Sequence, residues 1–539
     1  MALKLAVIVD NGCVQRFALD ALDAVVGTDE ITLFSCANTH SRRRWLRHAA
    51  YYALNLITVR NRLTRFVSIA LGSKTIARQV DFESSYDGAW QVLPQHILDE
   101  LRGGGFDLIL KFGMALLRVP EAEDLPVPIL SYHHGDPDLY RGRPAGFWEL
   151  SEGRPVMGQI VQVIGNRLDA GKVAAFAETK VFPWSYRSTL MESFRHSPLI
   201  INRAIRNAMA GTYLAKESMG RNCRLPSNAT VLGFVARMAV RSARRLLYGA
   251  FQEKKWQVSS AQVVEADLAG ALGKLPEPAS WRTLPAMPGY TFYADPFFCG
   301  EDSILVEALR AWSGLGEIVL IADGEHRTVL SGGGHMSYPS TASIGGREIV
   351  LPEMASWSDP QAYVVDGASL DVLTALRIED RARISDPTLF ERQGRTYLFG
   401  NDRAFGSNVL SLWVATSLEN EFRLHPSSPI RISPEGSRMG GAIIDRDGRL
   451  FRLGQDFSRG YGDGLILFEI DELRPDAYSE RVIGRVRFSD RRGPHTVNVR
   501  GNRIVFDWYH DRFSPLAGVR RFGGLLRRQL ARRRPTATQ

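Results

Sequence analysis

The sequence contains little cysteine. Its 539 residues include four, Cys13, Cys36, Cys223 and Cys299, which are widely scattered and form no Cys-x-x-Cys pair. Neither a disulfide framework nor a cysteine-bound zinc site is therefore expected, and no metal is predicted. We expect reduced thiols in a cytoplasmic protein.

Long apolar runs are missing as well. No stretch reaches the roughly 18 uninterrupted apolar residues of a candidate transmembrane helix. The opening segment MALKLAVIVDNG has one lysine and a short apolar run, and a secretory signal needs a longer apolar core. This segment is better explained as the first strand of a fold.

Positive charge is in excess and is clustered. The formal net charge is +9, and arginines alternate with apolar residues at helical spacing in segments 41–72, 234–251 and 520–535. Such helices are typical of proteins that lie on an anionic membrane surface. Solvated faces of helices packed on a domain are the simpler explanation for the first two segments, and the third is the better membrane candidate. Nucleic acid is not expected as a partner, because no nucleic-acid-binding module accompanies the charge.

The first 215 residues alternate between strands and helices. LKLAVIVD, EITLFSC, FDLILKFG and VPILSYHHG have the apolar runs of buried strands, whereas VQRFALDALDAV and PQHILDELRGGG have helical apolar periodicity. The alternation predicts a Rossmann-like α/β domain with a parallel sheet. Ligands of such sheets bind beyond the carboxyl ends of the strands, where the His133-His134 loop begins.

From about residue 252 the pattern changes to short strands separated by Gly, Asp and Asn turns. Five segments share a strand, a tight turn and a second strand rich in branched or aromatic residues: 294–308, 338–353, 386–400, 440–455 and 495–509. Their spacing of roughly 45–55 residues is typical of β-propeller blades. We predict an all-β five-bladed propeller, with segment 254–264 as an outer strand that closes the last blade. The predicted organisation is an α/β domain at 1–215, a basic helical linker at 216–251, the propeller at 252–515 and a basic tail at 516–539.

The double-histidine loop resembles the formyltransferase family, which includes methionyl-tRNA, glycinamide ribonucleotide and sugar N-formyltransferases. The matching residues are His133, Tyr140-Arg141-Gly142 and Asp169-Ala170-Gly171. The resemblance implies transfer of a formyl group from 10-formyltetrahydrofolate to an amine. His133 would stabilise the oxyanion, and Asp169 would hold that histidine and help to move the proton lost by the amine.

The family's folate pocket has a counterpart in segment 106–118. Its strand and loop resemble the pocket wall and include Gly113, Met114 and Leu116. By the same resemblance, Gly171 would let the backbone approach the folate closely.

One residue departs from the family pattern. Ser131 stands where the family has an asparagine, two positions before the histidine. Serine has a single hydroxyl donor with a shorter reach, and loss of one oxyanion donor costs on the order of 10²–10³ in rate. His134 is a candidate for the missing role, although His134 and Asp136 are also good loop-shaping residues. Arg141 and Arg143 are candidates either for holding an anionic substrate group or for stabilising the turn.

The second half resembles five-bladed propellers of the glycoside hydrolase type, and in particular the N-terminal propeller of plant glucosamine inositolphosphorylceramide transferases. The matching segments are YADPFF, HMSYPS, LPE and ISDP. The resemblance places Asp295 and Asp386 in the central funnel, with Glu307 and Glu353 as candidates for the acid that glycosidic cleavage requires. Asp-Pro at a strand start is also ordinary turn chemistry. Other candidates for the funnel wall are His335, Tyr338, Arg438, His495 and Trp508, of which Tyr338 and Trp508 are equally explained by packing between blades.

These patterns together predict a two-domain enzyme of surface-glycan or glycolipid biosynthesis. The first domain would formylate an amino sugar, and the propeller would hold the glycan, close to an anionic membrane. Two alternatives stay open. One is glycosidase or glycosyl transfer chemistry in the propeller beside a degenerate first domain, and the other is a pair of non-catalytic carbohydrate-binding modules.

Overall fold

The computed structural model describes residues 3–37, 46–119, 125, 127–262, 280–332, 334–354, 359–367 and 369–532, with side chains up to residue 524 in the last range. Residues 41–45 and 533–535 of the arginine-rich segments lie outside these ranges, as do residues 263 and 264 of the predicted closing strand. The chain divides into two compact units, Met1–Ala243 and Arg244–Gln539. The four cysteines are free thiols.

The first unit is built on a nine-stranded sheet and two small two-stranded sheets. Its strands are β1 (Leu5–Asp10), β2 (Cys13–Gln15), β3 (Glu30–Cys36), β4 (Phe66–Ser68), β5 (Thr75–Phe82), β6 (Ser85–Asp87), β7 (Trp90–Val92), β8 (Leu108–Lys111), β9 (Ile129–His133), β10 (Tyr140–Gly142), β11 (Val156–Val163), β12 (Lys172–Lys180) and β13 (Arg221–Cys223). Its helices are α1 (Arg16–Asp23), α2 (Ala49–Ile57), α3 (Gln95–Gly103), α4 (Phe147–Glu152), α5 (Tyr186–Met209) and α6 (Asn228–Phe251), the last of which contains the division between the units.

The large sheet is mixed. Strands β5, β3, β1, β8 and β9 run parallel in that order, as the alternation of strands and helices predicted. Beyond β9, β11 runs antiparallel to β9, and β12 runs antiparallel to β11, to which a short connection without a helix joins it. At the centre, β1 and β8 are buried along their whole apolar length, and α3 packs Ile97 and Leu101 against one face of the sheet.

The second unit is the predicted five-bladed propeller. Its strands are β14 (Gln252–Gln262), β15 (Arg282–Leu284), β16 (Tyr290–Cys299), β17 (Ser303–Arg310), β18 (Gly316–Ala322), β19 (Glu325–Leu330), β20 (Ser337–Ile344), β21 (Arg347–Glu353), β22 (Gln361–Asp366), β23 (Ser369–Ala375), β24 (Ile384–Arg392), β25 (Arg395–Asp402), β26 (Val409–Ala415), β27 (Arg423–Leu424), β28 (Arg431–Ile432), β29 (Glu435–Met439), β30 (Ile444–Arg446), β31 (Arg449–Asp456), β32 (Leu465–Leu473), β33 (Tyr478–Val486), β34 (Val497–Arg500) and β35 (Arg503–Phe513). Helix α7 (Ala517–Arg532) follows the last strand.

The last blade contains strands from both ends of the unit. Its order is β34, β35, β14 and β15, so residues that precede the other four blades complete it. β14 pairs with β35 from Gln252 opposite Phe513 to Gln262 opposite Arg503. The segment predicted as the outer strand is thus the third strand, because β15 pairs on its far side.

The innermost strands of the first four blades share one irregularity. Each has a register shift near its start, in β16, β20, β24 and β29. Within three of these shifts a residue that precedes proline has a left-handed backbone, namely Asp295 (φ 47°), Tyr338 (φ 46°) and Asp386 (φ 49°). Bulges of this kind redirect the side chains next to them. Side chains from different blades therefore meet near these positions.

Candidate functional site

A cavity of about 590 Å³ opens at the carboxyl ends of the parallel strands of the first unit. Asp10 ends β1, Lys111 ends β8 and Ser131 lies in β9, and all three line the cavity. Segments 112–117 and 164–169 form much of the remaining wall. The volume lies within the range of small-molecule and cofactor pockets.

His133 and Asp169 contact each other beside this cavity. The Nδ1 atom of His133 lies 3.3 Å from Oδ2 of Asp169, and the backbone N–H of Gly142 donates to the same oxygen at 2.7 Å. The Nε2 atom of His133 lies 3.1 Å from the carbonyl oxygen of Tyr140. The imidazole is buried between these two acceptors, whereas Asp169 and Ser131 form part of the cavity wall.

The connection between β11 and β12 holds Asp169 in place. Asp169 has a left-handed backbone (φ 44°), which aspartate tolerates better than most residues. The Gln162 side chain donates to Asp169 Oδ1 at 3.4 Å and accepts the N–H of Gly171 at 3.1 Å. A Cβ at Gly171 would lie 2.0 Å from the Val163 carbonyl oxygen, so this glycine permits a close approach between backbones.

The other predicted folate-pocket residues take different positions. Gly113 and Leu116 line the cavity. Met114 is fully buried in the core, and its N–H donates to Asp10 Oδ2 at 2.9 Å. Of the predicted set, the structure therefore brings Gly113, Leu116, Ser131 and Asp169 together around one cavity.

His134 lies in an aromatic cluster at the edge of the cavity. Its ring packs against Phe17 and Phe194 at centroid distances of 5.0 and 4.5 Å, and Nε2 lies 3.0 Å from Ser197 Oγ. Burial, with a contribution from neighbouring His133, lowers the pKa of His134 to about 3. The ring is therefore neutral at ordinary pH.

Lys111 is the functional candidate that the sequence analysis missed. The side chain is 8% exposed, and its ammonium donates to the carbonyl oxygen of Ala115 at 3.2 Å. Burial lowers the pKa of Lys111 to about 8, although the nearby charges of Asp10 and Asp169 act in the opposite direction. The one signal in the sequence was a lysine at the end of the otherwise apolar run FDLILK.

In the propeller, side chains of neighbouring blades form a buried charged cluster. Arg438 donates to both carboxylate oxygens of Asp386, at 2.6 and 2.8 Å. The backbone N–H of Asp386 donates to Glu353 Oε2 at 3.0 Å. Burial, with a further contribution from the Asp386 charge, raises the pKa of Glu353 to about 7.

The last blade joins this cluster through His495. Its Nδ1 lies 3.1 Å from Asp295 Oδ1 and 3.4 Å from Asp507 Oδ2. Burial disfavours the charged ring, but the two carboxylates outweigh that effect and raise the pKa of His495 to about 10. These three residues have the spacing of metal ligands, within 4.8 Å of one another. In this structure the ring and the two carboxylates form an ion pair.

Of the other residues predicted to line the funnel, some contact one another and some form hydrogen bonds elsewhere in the protein. The Glu307 carboxylate lies 3.6 Å from His335 Nε2, and burial together with Asp295 and Glu353 raises the pKa of Glu307 well above its ordinary value. Tyr338 and Trp508 instead bond within the protein, to Gly441 and to Ser259 Oγ respectively. Sequence reasoning missed Tyr461, a residue that is 45% exposed and whose ring centroid lies 4.7 Å from that of His495 and 5.7 Å from the Arg438 guanidinium.

Strand order and blade arrangement define the architecture of this chain: an α/β unit built on a mixed sheet, joined to a five-bladed β-propeller. Residues 325–503, within the propeller, match the family model described as glucosamine inositolphosphorylceramide transferase 1, N-terminal. Glucosamine inositolphosphorylceramide transferase 1 of Arabidopsis thaliana is 24% identical over 173 residues, which are 30% of this chain and 22% of the plant protein. The chain thus matches less than a quarter of the length of that curated relative.

Two solved structures are among those similar to this chain. The N-formyltransferase from Helicobacter canadensis, in complex with folinic acid and dTDP-3-aminofucose, is 10% identical and covers 59% of this chain and 98% of its own, with a TM-score of 0.28. The RS223 β-xylosidase is 9% identical and covers 37% of this chain and 77% of its own, with a TM-score of 0.29.

The His495 ion pair predicts a pH-dependent contribution to stability. Because the pKa of His495 is raised from 6.5 to about 10, its stabilising effect is fully present below pH 6.5 and is lost as the pH rises through about 10. We expect the difference in unfolding free energy between the wild type and His495→Gln to shrink across this interval. Urea unfolding at several pH values measures it, with the exposed His510→Gln as the control. A difference that stays constant from pH 6 to 10.5 would contradict the ion pair.

Proposed function

We propose that the first unit transfers a formyl group to the amino group of a sugar, with 10-formyltetrahydrofolate as the donor. The observation that carries the proposal is the contact between His133 and Asp169 at the strand-end cavity. Fold alone does not determine function, whereas these side chains supply specific chemistry.

The cavity suits a reduced folate in size and in wall composition. Trp90, Phe112 and Leu117 supply apolar surface for a flat ring, while Asp10 and Gln162 supply polar contacts. When bound, the folate would supply an activated one-carbon acyl group. Arg143 and Arg167 also line the cavity and are suited to hold an anionic part of either substrate.

Asp169 is the residue we propose to accept the proton that the amine loses. Its carboxylate is on the cavity wall, and the Gly142 N–H and the His133 ring fix its orientation. Holding a base in one position before the reaction is worth typically 10²–10⁴ in rate. His133 is then a positioning residue, because it acts through Asp169.

Asp169→Asn and His133→Ala should each lower kcat for formyl transfer by roughly 10²–10⁴, because both remove the oriented base. The assay follows tetrahydrofolate release with a panel of nucleotide-linked amino sugars. Asp138→Asn is the matched control, since this aspartate of the loop after His133 bonds Ser218 and Lys216 and does not line the cavity. Wild-type rates in both site variants would refute the assignment.

We further propose that the propeller funnel holds the glycan part of the substrate. Tyr461 is 45% exposed and its ring is an apolar surface, the Arg438 guanidinium lies 5.7 Å from that ring, and Glu307 and Glu353 supply carboxyl groups in the same cluster. Pockets of this composition, apolar surfaces with a few oriented polar groups, are typical of small-molecule sites. The plant relatives are named glucosamine inositolphosphorylceramide transferase 1, which supports a sugar ligand here.

One observation favours glycosidic chemistry in the funnel as a second candidate. Glu353 has a pKa near 7 and contacts Asp386, which is paired with Arg438. A protonated and an ionised carboxyl group near one bond are what glycosidic cleavage requires.

Tyr461→Ala should weaken oligosaccharide binding by roughly tenfold or more, equivalent to about 1.4 kcal/mol, because the flat platform is lost. Calorimetry with glucosamine-containing oligosaccharides measures the affinity. Tyr86→Ala, which removes a tyrosine of similar exposure from the first unit, should leave it unchanged. Equal affinity in the wild type and Tyr461→Ala would contradict the glycan site, and release of new reducing ends by the wild type would establish the second candidate.

We also propose that α7 and the end of α6 rest on the cytoplasmic surface of an anionic membrane. Arg521 donates to the carbonyl oxygen of Gly249 at 2.6 Å, which fixes α7 against α6. Val519 and Phe522 on α7 and Leu516 in the turn before it follow one another at three-residue intervals and are exposed, as are Leu246 and Leu247 on α6. Apolar side chains rimmed by arginines are typical of interfacial helices. None of the helices in the described residues has the length and apolar character needed to cross a bilayer.

Phe522→Asp should abolish sedimentation with vesicles that contain phosphatidylserine, because it places a negative charge on the apolar side of α7. Val372→Asp is the control, since Val372 and Phe522 are both 64% exposed and Val372 lies on the outermost strand β23. Binding of the wild type should fall as salt rises and should be absent on phosphatidylcholine vesicles. Sedimentation of Phe522→Asp like the wild type would contradict the proposed surface.

A further inference from the structure

The α/β site lacks the long amide donor that its resemblance to formyltransferases implies. Ser131 occupies that position, and its hydroxyl reaches less far than an asparagine side chain. Nor do the histidines fill the gap. His134 is neutral and bonded to Ser197, and both ring nitrogens of His133 contact acceptors. The developing oxyanion would therefore lack a donor from these residues.

Lys111 lies beside Ser131, whose side chain is too short for this role. In the parallel pairing of β8 with β9, Lys111 is the direct partner of Ser131, and both line the cavity. The two side chains thus reach the cavity from neighbouring strands at the same level of the sheet. An ammonium on this flexible stem can reach a position that the short serine side chain cannot.

The surroundings of Lys111 suit a functional charge better than a structural one. An ammonium has three donor hydrogens, and the carbonyl of Ala115 accepts one of them. Burying a charge is costly, and an apolar side chain would fill the end of β8 without that cost. The nearby carboxylates of Asp10 and Asp169 offset part of the cost and keep the amine charged at neutral pH.

We propose that Lys111 stabilises the oxyanion of formyl transfer in this protein, in the role for which Ser131 is too short. The inference rests on the proposed function. In the step, the amine nitrogen bonds to the formyl carbon and the carbonyl π pair moves to oxygen, where it meets the Lys111 ammonium. The pair then returns, and the bond between the formyl carbon and the folate nitrogen breaks, while the amine proton passes to Asp169 and from there to the departing folate nitrogen. A charged donor aimed at this oxygen acts most strongly where charge develops.

The charge on Lys111 makes the reaction depend on pH. The charged or titratable groups that face its cavity are Asp10 from β1, Tyr132 from β9, Asp169 and Arg167 from the β11–β12 connection, Arg143 after β10, and neutral His134 after β9. With a pKa of about 8, Lys111 loses its proton as the pH rises through that value. The wild-type kcat should therefore fall above pH 8.

Kinetics of three variants test the proposal. Lys111→Met should lower kcat by roughly 10²–10³, while its affinity for 5-formyltetrahydrofolate changes little, because the lost contact forms in the transition state. The double variant Lys111→Met/Ser131→Asn should have a kcat at least tenfold higher than that of Lys111→Met, because asparagine returns an amide donor. Lys111→Arg stays charged and should lack the fall in kcat above pH 8. Exposed Lys172→Met is the control and should behave like the wild type.

A second measurement does not depend on turnover. After ¹³C reductive methylation, the Lys111 resonance, assigned by its absence in Lys111→Arg, should titrate near pH 8 and shift when 5-formyltetrahydrofolate binds. The thermal unfolding midpoint of Lys111→Met should not fall below that of the wild type, since a buried charge is removed. Wild-type kcat in Lys111→Met, or no rescue by Ser131→Asn, would overturn the role of Lys111 alone. A wild type that transfers no formyl group to any acceptor would overturn the proposed function with it.

Discussion

Both candidate sites depend on one constraint, which is that a charge taken out of water must be met by an opposite charge or by hydrogen bonds. In the propeller, Arg438 meets Asp386 and His495 meets Asp295 and Asp507. In the α/β unit, Lys111 lies near Asp10 and Asp169. Each compensation links residues that are far apart in the chain, so the same contacts that make burial tolerable also fix the geometry of the site. The contacts that compensate the buried charges are therefore also contacts that hold the tertiary structure together.

Backbone irregularity is what brings these charges together. The bulges of β16 and β24 give Asp295 and Asp386 their left-handed conformation next to proline. A regular strand would alternate side chains between its two faces, whereas a bulge redirects them at the point where blades meet. In the first unit, the tight connection between β11 and β12 does the same for Asp169. Local strain and the position of functional groups coincide in both units.

Local pattern predicted most of the fold, and long-range contacts account for what it missed. Apolar runs identified β1, β3, β8 and β9, and the recurring turn pattern identified the blades. The pairing of His133 with Asp169 was also foreseen, because a family motif names both residues. No local sequence pattern shows that Lys111 lies beside Ser131, or that Arg438 contacts Asp386 of a neighbouring blade. The antiparallel direction of β11 and β12 was not predicted for a similar reason, because an apolar run does not show which way its strand runs in a sheet.

The way the last blade is completed has a consequence for synthesis of the chain. β14 leaves the ribosome before any other strand of the propeller, but its partner β35 is the last strand to emerge. Until β35 has been made, one edge of β14 has no strand to pair with, and exposed strand edges are prone to pair with other chains. The ring therefore closes in a single late event that joins the two ends of the unit, after the four intervening blades have been made. Once closed, the seam couples the first and last strands of the propeller, so that opening the ring requires eleven paired residues to separate together.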